Sequence, residues 1–228
     1  CLPPDLSADG DRLEQSLELL TRTYRPNSCE IAEGCIDGPG TRRLLRFDLK
    51  TPNTGAGDLF LGDPDDNEDL FEYSSCHEHF HFTTYAAYRL LDDDGNVAAS
   101  GHKQAFCLLD FEREDGDPTG VYDCGYQGIQ AGWSDIYDSY LPCQWVDVTD
   151  VAPGAYRLEI ALNTDHVLIE SDYENNLLVV PVTIADESCA NGCSEWSDEV
   201  CQPGDPMARA GDGFCDCNGI FEWDVADC

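Results

Sequence analysis

The sequence predicts a mainly β protein. An antiparallel, sandwich-like domain with long disulfide-tied loops is expected over residues 1–185, followed by a small cysteine-rich module over 186–228. Three observations carry this. "QWVDVTD", "AYRLEIAL" and "NNLLVVPVTI" are short runs of period-two or fully apolar character, broken by "VAPG" and "NTDHVLIESDYE". Helix signals are few, the best of them near Leu13–Tyr24. The 13 cysteines are uneven, with six of them after residue 185.

The elements follow in order. Residues 1–28 form a leading segment. Thr41 to Leu49, "TRRLLRFDL", alternates loosely and suits a strand. "TPNTGAGDLFLGDPDDNED" reads as a Gly/Asp/Pro loop region. Phe71 to Leu91 is rich in aromatic and β-branched residues and reads as strand, with "LDDDGNVAA" as a turn between strands. After Lys103, "QAFCLLDF" reads as strand and "EREDGDPTGVYDCGYQGIQAG" as loop. The three runs named above complete an antiparallel pattern. Beyond Ala185 there are too few aliphatic residues for a core, so that module must be stapled by disulfides or an ion.

Composition narrows the function. Twelve Lys+Arg against 46 Asp+Glu leave a formal charge of -34. Phosphate neutralisation needs a basic surface, so nucleic acid is excluded as a partner. Anionic membranes are excluded for the same reason. The charge fits a salty medium and the attraction of cationic substrates. So many cysteines indicate an oxidising compartment, hence a secreted or cell-surface/periplasmic protein. No Cys-x-x-Cys pair occurs, which argues against cysteine metal clusters. No apolar run reaches the roughly 18 residues of a transmembrane segment. Cys1 is expected to be a remnant of processing rather than an acylated cysteine.

Chemistry concentrates at "CHEHFH", Cys76 to His81. In a strand, His77, His79 and His81 point to one face. Imidazole suits copper, zinc, iron and nickel. A polar surface strand is the bland alternative, but the chain has only five histidines. A rise of about 3.4 Å per residue separates the first and third Cα by roughly 13 Å, so the strand must bend for all three to reach one ion. His102 is a possible fourth ligand, and His166 reads as a loop residue. Lysine is nearly absent, with only Lys50 and Lys103. On physical grounds alone, Lys103 in "GHKQAFC" would be a salt-bridge partner and Tyr137 in "GWSDIYDSYLPCQW" a packed, half-buried tyrosine.

Taken together, these motifs resemble the catalytic domain of the lysyl oxidases. Cys-His-x-His-x-His matches Cys76, His77, His79 and His81. Gly-His-Lys-x-x-Phe-Cys matches Gly101 to Cys107. Gly-x-x-Asp-x-Tyr followed by Cys-Gln-Trp matches Gly132, Asp135, Tyr137 and Cys143 to Trp145. "DVTDVAPGAYRL" and "ESDYENN" also look like family segments, so the resemblance covers roughly residues 25–184; the tail is unrelated.

The resemblance implies copper held by His77, His79 and His81, and a lysine tyrosylquinone made from Lys103 and Tyr137. Tyr140 competes with Tyr137, but the gapless match to Cys-Gln-Trp favours Tyr137. The implied reaction converts primary amines, including those of lysine-bearing proteins, to aldehydes with release of ammonia and hydrogen peroxide. The implied disulfides are Cys29–Cys76, Cys35–Cys143 and Cys107–Cys124. Asp135 lies near Tyr137, but one acid among 46 does not identify a base. The competing reading is a non-catalytic secreted module held together by its metal. The tail faintly resembles a Lin-12/Notch repeat, with Asp212, Asp216, Asp224 and Asp227 offering hard oxygen ligands to calcium.

Overall fold

The computed structural model describes residues 2–67, 69–82, 85–102 and 106–185. Cys1, Lys103 and the cysteine-rich stretch 186–228, with its expected calcium ligands, lie outside the described residues.

The described chain is mainly β, as expected. It opens with α1 (Gly10–Ser16) and β1 (Glu18–Tyr24), then α2 (Cys29–Ala32), β2 (Gly40–Arg46), β3 (Leu49–Pro52) and β4 (Leu59–Gly62). A 3-10 turn at Pro64–Asp66 leads into β5 (Phe71–Ser74) and β6 (His79–Phe82). Next come β7 (Ala86–Leu91), β8 (Val97–Ser100), β9 (Glu112–Arg113), β10 (Gln127–Ile129) and β11 (Trp133–Tyr137). β12 (Trp145–Asp147), β13 (Gly154–Leu162) and β14 (Leu177–Ile184) follow. These strands form small sheets in the orders β1-β2-β12, β10-β4, β3-β11-β9, β14-β13-β7-β8 and β5-β6. β14 carries Pro181 and is an edge strand, where a missing N–H is tolerated. Among the described residues no helix is long and apolar enough to cross a membrane.

Three expectations need correction. The helix expected near Leu13–Tyr24 covers only its first turns. The Asp9 side chain accepts from Arg12 N to start α1, and Ser16 Oγ ends it by donating to Leu13 O and accepting from Asp48 N. Beyond it, Thr21, Thr23 and Tyr24 favour extended backbone, and β1 pairs with β2 along its whole length. "QAFCLLDF" is not a strand within residues 106–111. That segment is stitched in by single bonds instead: Phe82 N donates to Phe106 O, Gly128 N to Leu108 O, and Leu108 N to the Gln127 side chain. Finally, β4, β9 and β10 lie inside stretches read as loop; at two to four residues they are too short for a periodic pattern to show.

All three implied disulfides are present: Cys29–Cys76, Cys35–Cys143 and Cys107–Cys124. Each is worth about 2–4 kcal/mol. Cys35–Cys143 lies against a core of Tyr24, Ile36, Leu44 and Trp145. The Gln of Cys-Gln-Trp is buried there too: Gln144 accepts from Tyr88 OH and donates to Phe47 O. Gly101 follows from packing, because a Cβ there would lie 2.9 Å from Trp145 O and 3.0 Å from Tyr88 Cβ. Gly132 opens the Asp-x-Tyr strand with a left-handed φ of 81°.

The second lysine has a structural task. Lys50, buried on β3, pairs with Glu112 at 2.9 Å and Glu114 at 2.5 Å. Burial pulls its pKa down, but the hydrogen bonds to Glu114 and Glu112 outweigh this and hold it above the usual value; Lys50 in turn lowers Glu114. The Glu114 contribution to stability is therefore lost as pH falls through its depressed folded pKa, and the Lys50 contribution as pH rises through its elevated one. Lys50→Met is expected to cost about 1–2 kcal/mol near neutral pH, since both partners remain partly in water. Chemical denaturation at pH 3, 7 and 11 checks this: the cost should be largest at pH 7.

Candidate metal centre

The site lies within one compact unit, formed by residues up to Asp150 and from Arg157 to Pro181. It is built on the hairpin of β5 and β6, whose register pairs Ser74 with His79 and Glu72 with His81. The expected strand supplies only His79 and His81; His77 comes from the turn before it. Glu78 N donates to Ser74 O at 2.8 Å, and Glu78 takes a left-handed φ of 59°. That reversal removes the distance an extended chain would impose between the first and third histidines. Cys76, in the same turn, is tied to Cys29 at the start of α2.

The result is a three-imidazole cluster. One ring nitrogen from each of His77, His79 and His81 lies within 4.8 Å of the others, and Nε2 of His79 and His81 are 3.2 Å apart. Burial, then the charges of His79 and His77, push His81 down to about 4, against a smaller pull from Glu33. Its ring is neutral at pH 7, as a ligand must be. His102 and His81 both line a cavity of about 250 Å3, but His102 is not in the three-histidine group. His166 is remote in role: it sits in a loop, stacked on Tyr173 at 4.5 Å.

Tyr137 is near the cluster but not in it. Phe106 stands between, with ring centroids 5.4 Å from His81 and 5.0 Å from Tyr137. Tyr137 is buried, its hydroxyl donates to Cys107 O at 3.5 Å, and its ring meets Tyr85 edge-on. Burial, then the charges of Asp135, Tyr85 and Tyr88, keep its phenol protonated. Tyr140, in contrast, is 79% exposed beneath the Arg46 guanidinium.

Asp135 shares the Tyr137 face of β11 by strand alternation and is buried. It accepts from Ile136 N at 2.8 Å. No group among the described residues bonds Oδ2 in good geometry, although the Tyr137 hydroxyl stands close enough to lower its pKa slightly. Burial pushes its pKa well above the carboxylate range, Asp110 adds to this, and the Ile136 and Leu109 N–H groups oppose it. An acid with a raised folded pKa costs stability as pH climbs past its unfolded value of about 4. Asp135→Asn is therefore expected to melt increasingly above wild type as pH goes from 4 to 7. A melting-temperature gap independent of pH would contradict this.

Two residues of the site carry no sequence signal of their own. Glu33, just after α2, lies 3.5 Å from His77 Nε2. Gln127 is fully buried; it accepts from Leu108 N and donates to Phe80 O, tying the histidine strand to the Phe106 segment. Each is a common polar residue in a polar sequence. The only hint for Glu33 is its place between Cys29 and Cys35.

The lysyl oxidase family matches residues 5–193. The chain belongs to the lysyl oxidase family. It is 36% identical over 187 residues to lysyl oxidase homolog 2 of Homo sapiens, covering 77% of this chain and 24% of that protein. The Bos taurus homolog gives the same figures, and that of Gallus gallus is 35% identical. The chain thus spans about a quarter of the length of these relatives. As a lysyl oxidase family domain it has its three-histidine cluster, its disulfides and its buried Tyr137 in one compact unit.

Proposed function

We propose that this chain is a copper- and quinone-dependent amine oxidase. It would convert a primary amine, oxygen and water to an aldehyde, ammonia and hydrogen peroxide, with peptidyl lysine among its substrates. The observation that carries this is the convergence of His77, His79 and His81 one aromatic ring away from buried Tyr137.

The residues fit the implied groups. Three closely spaced imidazoles, one of them held neutral by burial, make a nitrogen donor set suited to copper. Lys103 and Tyr137 would form the lysine tyrosylquinone. Together the metal and quinone supply a two-electron sink for the amine and a route for those electrons to oxygen. The protein's own part is positional. Cys29–Cys76 pins the histidine turn, Cys35–Cys143 pins the chain six residues beyond Tyr137, and Cys107–Cys124 pins the segment after Phe106. Phe106 and Tyr85 wall the Tyr137 ring from water. Asp135, its pKa raised by burial, stands beside the Tyr137 hydroxyl. The charge of -34 would draw cationic amines to the surface. The disulfides suit secretion into an oxidising compartment. Residues 186–228 are proposed as a separate stapled module.

The Phe106 ring between the histidines and Tyr137 favours a second reading, in which the ion is structural and no quinone forms. Quinone staining and peptide mass mapping of copper-loaded, aerated protein separate the two. The first reading predicts a Lys103–Tyr137 cross-link. An active protein with both peptides unlinked would refute the cofactor assignment.

A further inference from the structure

Glu33 has a place in this centre that neither the disulfides nor the histidines explain. It caps α2, its N–H donating to Cys29 O at 2.8 Å. It sits between the two half-cystines that tie α2 to the histidine turn and to Cys143. Its carboxylate is aimed by a closed set of contacts. Ser74 Oγ donates to Glu33 Oε1 at 2.6 Å, and the same Oγ accepts from His77 N at 3.2 Å. The other oxygen, Oε2, then faces His77 Nε2 at 3.5 Å. One serine thus fixes both the backbone of His77 and the acid that meets its ring. Both side chains are mostly shielded from solvent, at 14% and 22% exposed, so the pairing is only weakly screened.

We propose that Glu33 is a positioning residue of the metal centre. Its carboxylate, held by Ser74, fixes the His77 ring and places a negative charge beside the bound cation. This rests on the reading that His77, His79 and His81 hold copper. Of the three, only His77 comes from a turn rather than the strand, so its ring most needs an external brace. Carboxylates that orient ligating histidines commonly change metal affinity about 10–100-fold when removed.

The test is competitive Cu(II) titration against a chelator, with electron paramagnetic resonance, on the full chain as wild type, Glu33→Gln and Ser74→Ala. Glu33→Gln keeps an oxygen for Ser74 but removes the charge. It is expected to weaken copper binding about 10–100-fold and to alter the copper hyperfine splitting, with metal-free melting unchanged. Ser74→Ala, which frees the carboxylate without removing it, should shift both readouts in the same direction by less. Wild-type affinity and spectrum in both variants would overturn the proposal. So would a lowered metal-free melting temperature with an unchanged spectrum, since that marks a purely structural residue. A wild-type chain that binds no copper would overturn the proposal and the reading beneath it together.

Discussion

Tyr137→Phe is expected to reduce amine turnover to background while leaving copper binding intact. Phenylalanine fills the same space between Phe106 and Tyr85, and the lost hydroxyl makes a long bond to Cys107 O and stands beside Asp135. Folding should therefore survive, with a cost of about 1 kcal/mol at most for that bond. What disappears is the phenol from which the proposed quinone would be made. Tyr140→Phe is the internal control: that residue is solvent-exposed, and its exchange should leave turnover unchanged. Lys103→Arg should match Tyr137→Phe, because a guanidinium stays protonated and cannot supply a nucleophilic amine. Initial rates of peroxide release, with copper content measured on the same samples, check all three. Retained turnover in Tyr137→Phe would remove Tyr137 from the cofactor.

His81→Ala is expected to abolish both copper retention and turnover. His81 is the buried member of the trio and the one held neutral, so its loss removes a prepared candidate ligand. Copper affinity should fall by more than the about 100-fold typical of losing an outer-shell partner. Retained disulfides and an ordinary melting curve for the metal-free variant would show that the fold persists. Elemental analysis after dialysis gives the decisive value; wild-type copper content in His81→Ala would place the metal elsewhere.

Much of this was legible in the sequence, for identifiable reasons. The long strands β13 and β14 carry enough alternating or apolar residues to show their period. The histidine spacing announced a shared site, since three imidazoles within five residues stand out among five in the whole chain. The way they meet was not legible. It depends on a left-handed Glu78 and a turn bond to Ser74, and neither residue type signals that conformation. Leu13–Tyr24 misled because its apolar spacing suits a helix, whereas pairing with β2 decides the outcome in favour of β1. Glu33 was hidden by abundance, and Asp135, though named in its motif, could be given no role for the same reason: in a chain with 46 acidic residues, only three-dimensional placement separates a carboxylate facing His77 or Tyr137 from one facing water.

The central claim is that this lysyl oxidase family domain oxidises amines. Its most direct test is peroxide release by copper-loaded, aerated chain offered a small panel of primary amines and a lysine-bearing peptide. The predicted result is peroxide and aldehyde in equal amounts, dependent on copper and lost in Tyr137→Phe. A folded, copper-loaded chain with its disulfides intact that yields no peroxide from any of these amines would contradict it.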